Sequence, residues 1–119
     1  MAALLQDAGI VRHRGKIEAV IHDARRAVAL QEESGSLAPN FWRNEIDPAG
    51  AAPPQSAPIA EESIALAEDL KRRGWKFVGP TTVYAFMQAM GLVNDHVPEC
   101  VVAQDVRQAR AGFRVPVLE

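Results

Sequence analysis

Apolar positions along this chain recur with the 3.6-residue period of helices. Ile17, Val20, Ile21, Ala24, Ala27 and Val28 fall near one helical face and predict a long helix from Arg12 to about Glu33. Gly15, in its first turns, costs up to about 1 kcal/mol relative to Ala and permits a close approach. Ser34-Gly35-Ser36 breaks the pattern, and Leu37 to Ile46, with Phe41 and Trp42, predicts one short helix. Asp47 to Pro58 holds four of the eight prolines and no basic residue, so it reads as a linker or surface loop with no regular element. Helix resumes at Ile59 or Glu61, where Glu61 and Glu62 complement the macrodipole, and Ile64, Ala67 and Leu70 form its apolar stripe. Lys71, Arg72 and Arg73 before Gly74 are a basic last turn and a terminating glycine. Val83, Phe86, Met87 and Met90 at i, i+3, i+4 and i+7 predict the apolar face of a further helix, opened by Pro80 and stopped at Gly91. A short helix over Leu4 to Ala8, ended at Gly9, and one in the tail before Gly112 complete an all-α reading.

The length of 119 residues allows a single domain with a modest core. A hydrophobic share of 48% and a charged share of 24% are those of a soluble globular protein. The net charge of −2 does not advertise nucleic-acid binding, but the cations are clustered. Arg12, His13, Arg14 and Lys16 form one group, read as either a solvated face or a duplex contact, and Lys71, Arg72, Arg73 and Lys76 form another. A lone Cys rules out an internal disulfide and fits a reducing cytoplasm. No apolar run reaches transmembrane length, the first residues do not read as a signal peptide, and no internal repeat is present.

Two stretches carry candidate chemistry. The segment Gly74 to Gly79 is a glycine-bounded turn between two helices, a helix-hairpin-helix, which either packs helices or presents backbone N–H groups to a phosphate beside Lys76. His96 and Cys100 stand as H-x3-C, a spacing that lets two ligands from one local segment reach one zinc ion. A structural zinc needs four ligands, and a lone Cys also serves as a small buried hydrophobe. His13 and His22 lie in a distant helical segment.

The block RRGWKFVGPTTVYAFMQAMGLVNDHV (Arg72 to Val97) resembles the signature region of the DNA-3-methyladenine glycosylase I family, bacterial base-excision repair enzymes of the helix-hairpin-helix superfamily. LLQDAGIVRHRGKIEAVIHDAR (Leu4 to Arg25) is similar to the family's preceding segment, in the right order and distance. The resemblance ends near Cys100. It implies a partial glycosylase helical domain over residues 1–100, with a linker at about 47–58 and the hairpin at 74–79. The tail 101–119 is unassigned.

By that resemblance Gly74, Lys76, Val78, Gly79 and Thr81 contact double-stranded DNA containing alkylated bases. His96 and Cys100 are two of four ligands to a structural zinc. The reaction implied is excision of 3-methyladenine, with no membrane and no obligate protein partner. The family's other zinc ligands, its base-stacking aromatics and its base-binding glutamate lie before the position of Met1, so no catalytic residue is expected here and the chain alone is expected to be inactive. A non-catalytic DNA-binding module or a structural helical domain is the alternative, and a chain lacking part of its parent fold should expose apolar surface.

Arg43 and Asn44 depart from the family, which carries a small and an apolar residue there. Asp95, sixteen residues after Gly79, stands near the catalytic aspartate of other helix-hairpin-helix glycosylases; here, beside His96, it reads as a hydrogen-bond partner that orients that candidate ligand or as a cap. Tyr84 is a candidate pocket wall, and Trp42 reads as a core tryptophan rather than a base-stacking platform. No lysine after the hairpin is placed for a Schiff base.

Overall fold

His13 decides where the first helix starts. Its Nδ1 accepts the N–H of Lys16 at 3.1 Å, so it caps helix α1 (Arg14–Ser34) instead of joining a basic face. The absent side chain of Gly15 makes room for that imidazole, because a Cβ there would sit 3.1 Å from its Cε1. The computed structural model describes residues 1–118; among them are five α-helices, two short 3-10 turns and no strand. The tail's last residue, Glu119, lies outside the described residues. The first 3-10 turn, Leu4–Gln6, replaces the short helix expected over Leu4 to Ala8 and gives way to an Asp7 turn, whose carboxylate accepts the Gly9 N–H at 2.8 Å.

Helix α2 (Ala38–Trp42) is only five residues, shorter than the segment to Ile46 predicts. Asn44 donates its side-chain amide to the Asn40 carbonyl at 3.1 Å, an alternative to continued helix, and the chain turns away. It leads Ile46 into the core, where the Ile46 N–H donates to the Leu92 carbonyl at 3.0 Å. The proline-rich segment is not wholly irregular: Asp47 caps a 3-10 turn at Pro48–Gly50 by accepting the Ala49 N–H at 2.9 Å.

Helices α3 (Glu61–Arg72) and α4 (Pro80–Met90) form the centre, and their mutual packing is more extensive than that of any other pair among the described residues. Leu66, Ala67 and Leu70 of α3 meet Val83, Tyr84 and Met87 of α4, with Ile46 and Leu92 closing the cluster. The predicted stripes are rotated. On α3, Ser63 and Leu66 are buried and Ile64 only half-buried. On α4, Tyr84 takes the inner place, while Phe86 is 38% and Met90 56% exposed. Both possible stripes share Val83 and Met87, and α3 with Ile46 and Leu92 covers the side that bears Tyr84. Phe86 is left against Phe41, ring centroids 5.3 Å apart.

Helix α5 (Val101–Ala111) and the segment after it are part of the same body. Ala103 is buried and its carbonyl accepts the Asn94 amide at 2.9 Å. Arg110 pairs with both oxygens of Glu45 and lies 5.8 Å above the Trp42 ring, which also meets Phe113 at 4.8 Å. Trp42 is thus a packing residue. The body is open: its radius of gyration is 16.3 Å, where about 13–14 Å is usual at this length.

Candidate nucleic-acid interface

The turn between α3 and α4 is built by glycine and proline in their preferred places. Gly74 has φ +89° and follows the last turn of α3; its N–H donates to the Lys71 carbonyl and the Trp75 N–H to the Leu70 carbonyl, each at 3.0 Å. This is a Schellman closure, and Trp75 packs back on the core that contains Leu70. Phe77, 62% exposed, holds φ +57°, a left-handed conformation unusual for a bulky residue. Val78 packs against the core.

Gly79 is the N-cap of α4 with no side-chain cap, and Pro80 occupies the first helical position. Val83 is the first residue to donate within the helix, to the Gly79 carbonyl at 2.9 Å. The earlier N–H groups of Gly79, Thr81 and Thr82 are therefore free of the helix ladder, at the positive end of its dipole. The side chains of Thr81 and Thr82 are exposed beside them.

Helix α1 holds the other side of the turn. The Nε2–H of His22 donates to the Gly74 carbonyl, and Asp23 accepts the Lys76 N–H at 2.8 Å. Five residues were expected to meet a phosphate. The Gly74 N–H is taken by the Lys71 carbonyl and the Lys76 N–H by Asp23 of α1, leaving the Lys76 ammonium. Gly79 and Thr81 keep open N–H groups, and Val78 is an anchor. His22 and Asp23 are the residues the sequence reading missed. No local pattern marks a contact between residues more than fifty positions apart.

Just before the turn, Asp69 gathers three guanidinium groups. Its side chain, 12% exposed, accepts from Arg43 and Arg73 at 3.2 Å each and from Arg72, and Arg73 also pairs with Glu33 at 3.0 Å. Burial pushes the Asp69 carboxyl up, but the hydrogen bond from Arg72 and the charges of Arg73 and Arg43 outweigh it and hold the group below its ordinary value. The i, i+3, i+4 spacing of Asp69, Arg72 and Arg73 was a legible signal for this cluster.

Asp95 and Tyr84 line a cleft of about 280 Å³ between the proline-rich segment and α3. Asp95 accepts the Gln55 N–H at 2.9 Å and the Gln88 amide at 3.0 Å, which pins Gln55 at φ +59°. Its contacts within the chain are those of a loop anchor. Burial, with the charges of Asp95 and Glu62, pushes the Tyr84 phenol up. His96 is exposed, its N–H donating to Asn94 at 3.3 Å, and Cys100 is a half-buried free thiol at the N-cap of α5. Among the described residues no three His, Cys, Asp or Glu side chains converge to hold a metal, so these residues alone do not close a four-ligand zinc site.

Comparison with known proteins covers most of this architecture. Residues 1–104, from the first turn into α5, match the family model for methyladenine glycosylase. The chain is 44% identical over 101 residues to DNA-3-methyladenine glycosylase 1 of Escherichia coli (strain K12), spanning 82% of this chain and 54% of the relative. It is 36% identical over 106 residues to DNA-3-methyladenine glycosylase of Haemophilus influenzae, spanning 82% of this chain and 55% of the relative. A crystal structure of 3-methyladenine DNA glycosylase I superposes with a TM-score of 0.72 at 43% identity, covering 84% of this chain and 57% of the other. The chain thus spans about half the length of the curated relatives it matches. With the α3–turn–α4 unit and its α1 support inside the matched region, the chain belongs to the methyladenine glycosylase family.

Proposed function

We propose that this chain is the hairpin-bearing part of a DNA-3-methyladenine glycosylase, a base-excision repair hydrolase working in the cytoplasm on double-stranded DNA with alkylated bases. The observation that carries the reading is the 44% identity over 101 residues to a relative of that name. In the reaction the damaged nucleotide is flipped from the stack, water adds to the sugar carbon, and the N-glycosidic bond breaks with its electron pair leaving on the base. N3-methylation makes adenine cationic and already a good leaving group, so the enzyme needs mainly to recognise it. The part supplied here is the helix-hairpin-helix grip on the backbone. The N–H groups of Gly79 and Thr81 receive a phosphate oxygen, the Lys76 ammonium adds charge, and Gly74 and Val78 fix the turn.

His96 and Cys100 would hold zinc as two of its four ligands, the others coming from polypeptide beyond these residues, and the ion would serve structure rather than chemistry. A matching loss of bound zinc from a longer protein with Cys100→Ser tests this; unchanged zinc content rejects it.

Lys76→Ala is expected to weaken duplex binding about equally across sequences and to lower the slope of log affinity against log salt by about one. An unchanged affinity and slope removes the hairpin from the interface. A second reading, a DNA-binding module that does no chemistry, is favoured for these residues alone by their span of about half the relatives' length. It predicts salt-dependent duplex binding without release of 3-methyladenine from alkylated DNA, whereas release by this chain alone would exclude it.

A further inference from the structure

The Asp69 cluster holds more positive charge than its internal partners neutralise. Three guanidinium groups meet two carboxylates, Asp69 and Glu33. Arg73, 27% exposed, is the inner member and bridges both carboxylates. Arg43 and Arg72 each give one hydrogen bond to Asp69, while their side chains stay 45% and 74% exposed. Each guanidinium carries five N–H donors in a rigid fork, so most of the donors on these two are left toward solvent.

An ion pair of a group this exposed contributes little to stability, so holding the fold is a weak account of Arg72. The charge also sits in a particular place. Arg72 ends α3 and Arg73 immediately precedes Gly74, the first residue of the turn. The Cδ of Arg26, from α1, lies 3.4 Å from where a Gly74 Cβ would stand, so cations from α1, from the residue after α2 and from the end of α3 gather near one end of the hairpin. This gathering occurs in a chain whose net charge is −2.

We infer that Arg43 and Arg72 form a second phosphodiester contact beside the hairpin, with Asp69 as the positioning residue that fans their guanidinium forks outward. The ligand class is the duplex backbone: a planar fork matches two phosphate oxygens, and a fork already held at one corner loses less side-chain freedom on binding. The inference rests on the DNA-binding reading above and adds a contact that the turn itself does not make.

The test is fluorescence-anisotropy titration of an undamaged duplex of about two helical turns at four salt concentrations. The proteins are the full chain and its Lys76→Ala, Arg43→Gln, Arg72→Gln and Arg72→Lys variants, with thermal melts confirming that each folds. Arg72→Gln and Arg43→Gln are each expected to lower the salt slope by about one and to weaken binding roughly tenfold at low salt. Arg72→Lys keeps the charge and is expected to recover the slope but only part of the affinity, because an ammonium is a point charge rather than a fork. If Lys76→Ala lowers the slope while both glutamine variants bind like the parent, this inference is wrong and the hairpin reading stands. If the parent chain shows no salt-dependent binding, both fall together.

Discussion

Helices α1 and α4 are both amphipathic and both adjoin the turn, yet they are held by different forces. Helix α4 is held by burial: Met87 is 0% exposed and Val83 4%, against Leu66 and Ala67 of α3 at 1% and 0%. Helix α1 is nearly twice as long, 21 residues against 11, but buries only Ile17, Ala19 and Leu30, and leaves Val20 68% and Val28 53% exposed. Its recorded ties to the turn are polar: His22 to the Gly74 carbonyl, Asp23 to the Lys76 N–H, and Glu33 to Arg73. Packing thus defines the hairpin unit, and hydrogen bonds aim a long helix at it. Substitutions in the two regions should differ in size and in the conditions that reveal them.

The largest effect is expected at Met87. Truncation to Ala removes a fully buried side chain between α3 and α4 and should cost about 2–5 kcal/mol, read as a fall in the denaturant midpoint. A loss below about 1 kcal/mol would mean that α3 and α4 are not the stable unit. Gly74→Ala comes next, at about 1–2 kcal/mol, because φ +89° is strained for any residue with a Cβ. The Arg26 side chain at 3.4 Å adds only an ordinary contact, so an Arg26→Ala background should leave that cost unchanged.

Asp69 tests the polar side of the contrast. Its carboxyl is held below the ordinary value in the fold, so its contribution is fully present above the unfolded-state value of about 3.9 and is lost as pH falls through the folded one. Asp69→Asn should cost about 1–2 kcal/mol at pH 7, discounted because Arg43 and Arg72 are well exposed. The parent and variant melting curves should converge as pH drops below about 4. Parallel curves over that range would show that the carboxylate is not what the arginines stabilise.

How much of this was readable in the sequence follows the same division. Helix ends were legible because they depend on local chemistry: Gly35, Gly74, Gly91 and Pro80 all sit where glycine and proline ought to. The inner faces were less so. Val83 and Met87 fit two stripes equally well, and only the position of α3 selects Tyr84 over Phe86, a choice that periodicity cannot make. Arg43 and Asn44, where the family carries a small and an apolar residue, find polar partners in the fold, Asp69 and the Asn40 carbonyl. Asp69 is a tertiary partner, and Asn44 turns back to the Asn40 carbonyl of α2 where the longer helix expected to Ile46 does not continue. The candidate turn was visible as a stretch from Gly74 to Gly79, but its tethers from His22 and Asp23 were not, because a long-range hydrogen bond leaves no periodic trace.

The smallest expected effect is the most informative about α1. Val20→Thr keeps shape and β-branching and exchanges one methyl for a hydroxyl, which at 68% exposure meets water, so stability should change by less than about 0.5 kcal/mol. The same substitution at a buried valine would strand a polar group and cost about 1–3 kcal/mol. A melt of Val20→Thr therefore reports whether this face is wet in solution. A loss above about 1 kcal/mol that fades on dilution would show that a second copy covers α1, since association stabilises by mass action and only the associated form would feel the hydroxyl. A loss that ignores concentration would instead place Val20 against the chain's own core, contrary to the fold. A change near zero at every concentration leaves α1 as it stands here, a helix aimed by three polar ties with its valines in water.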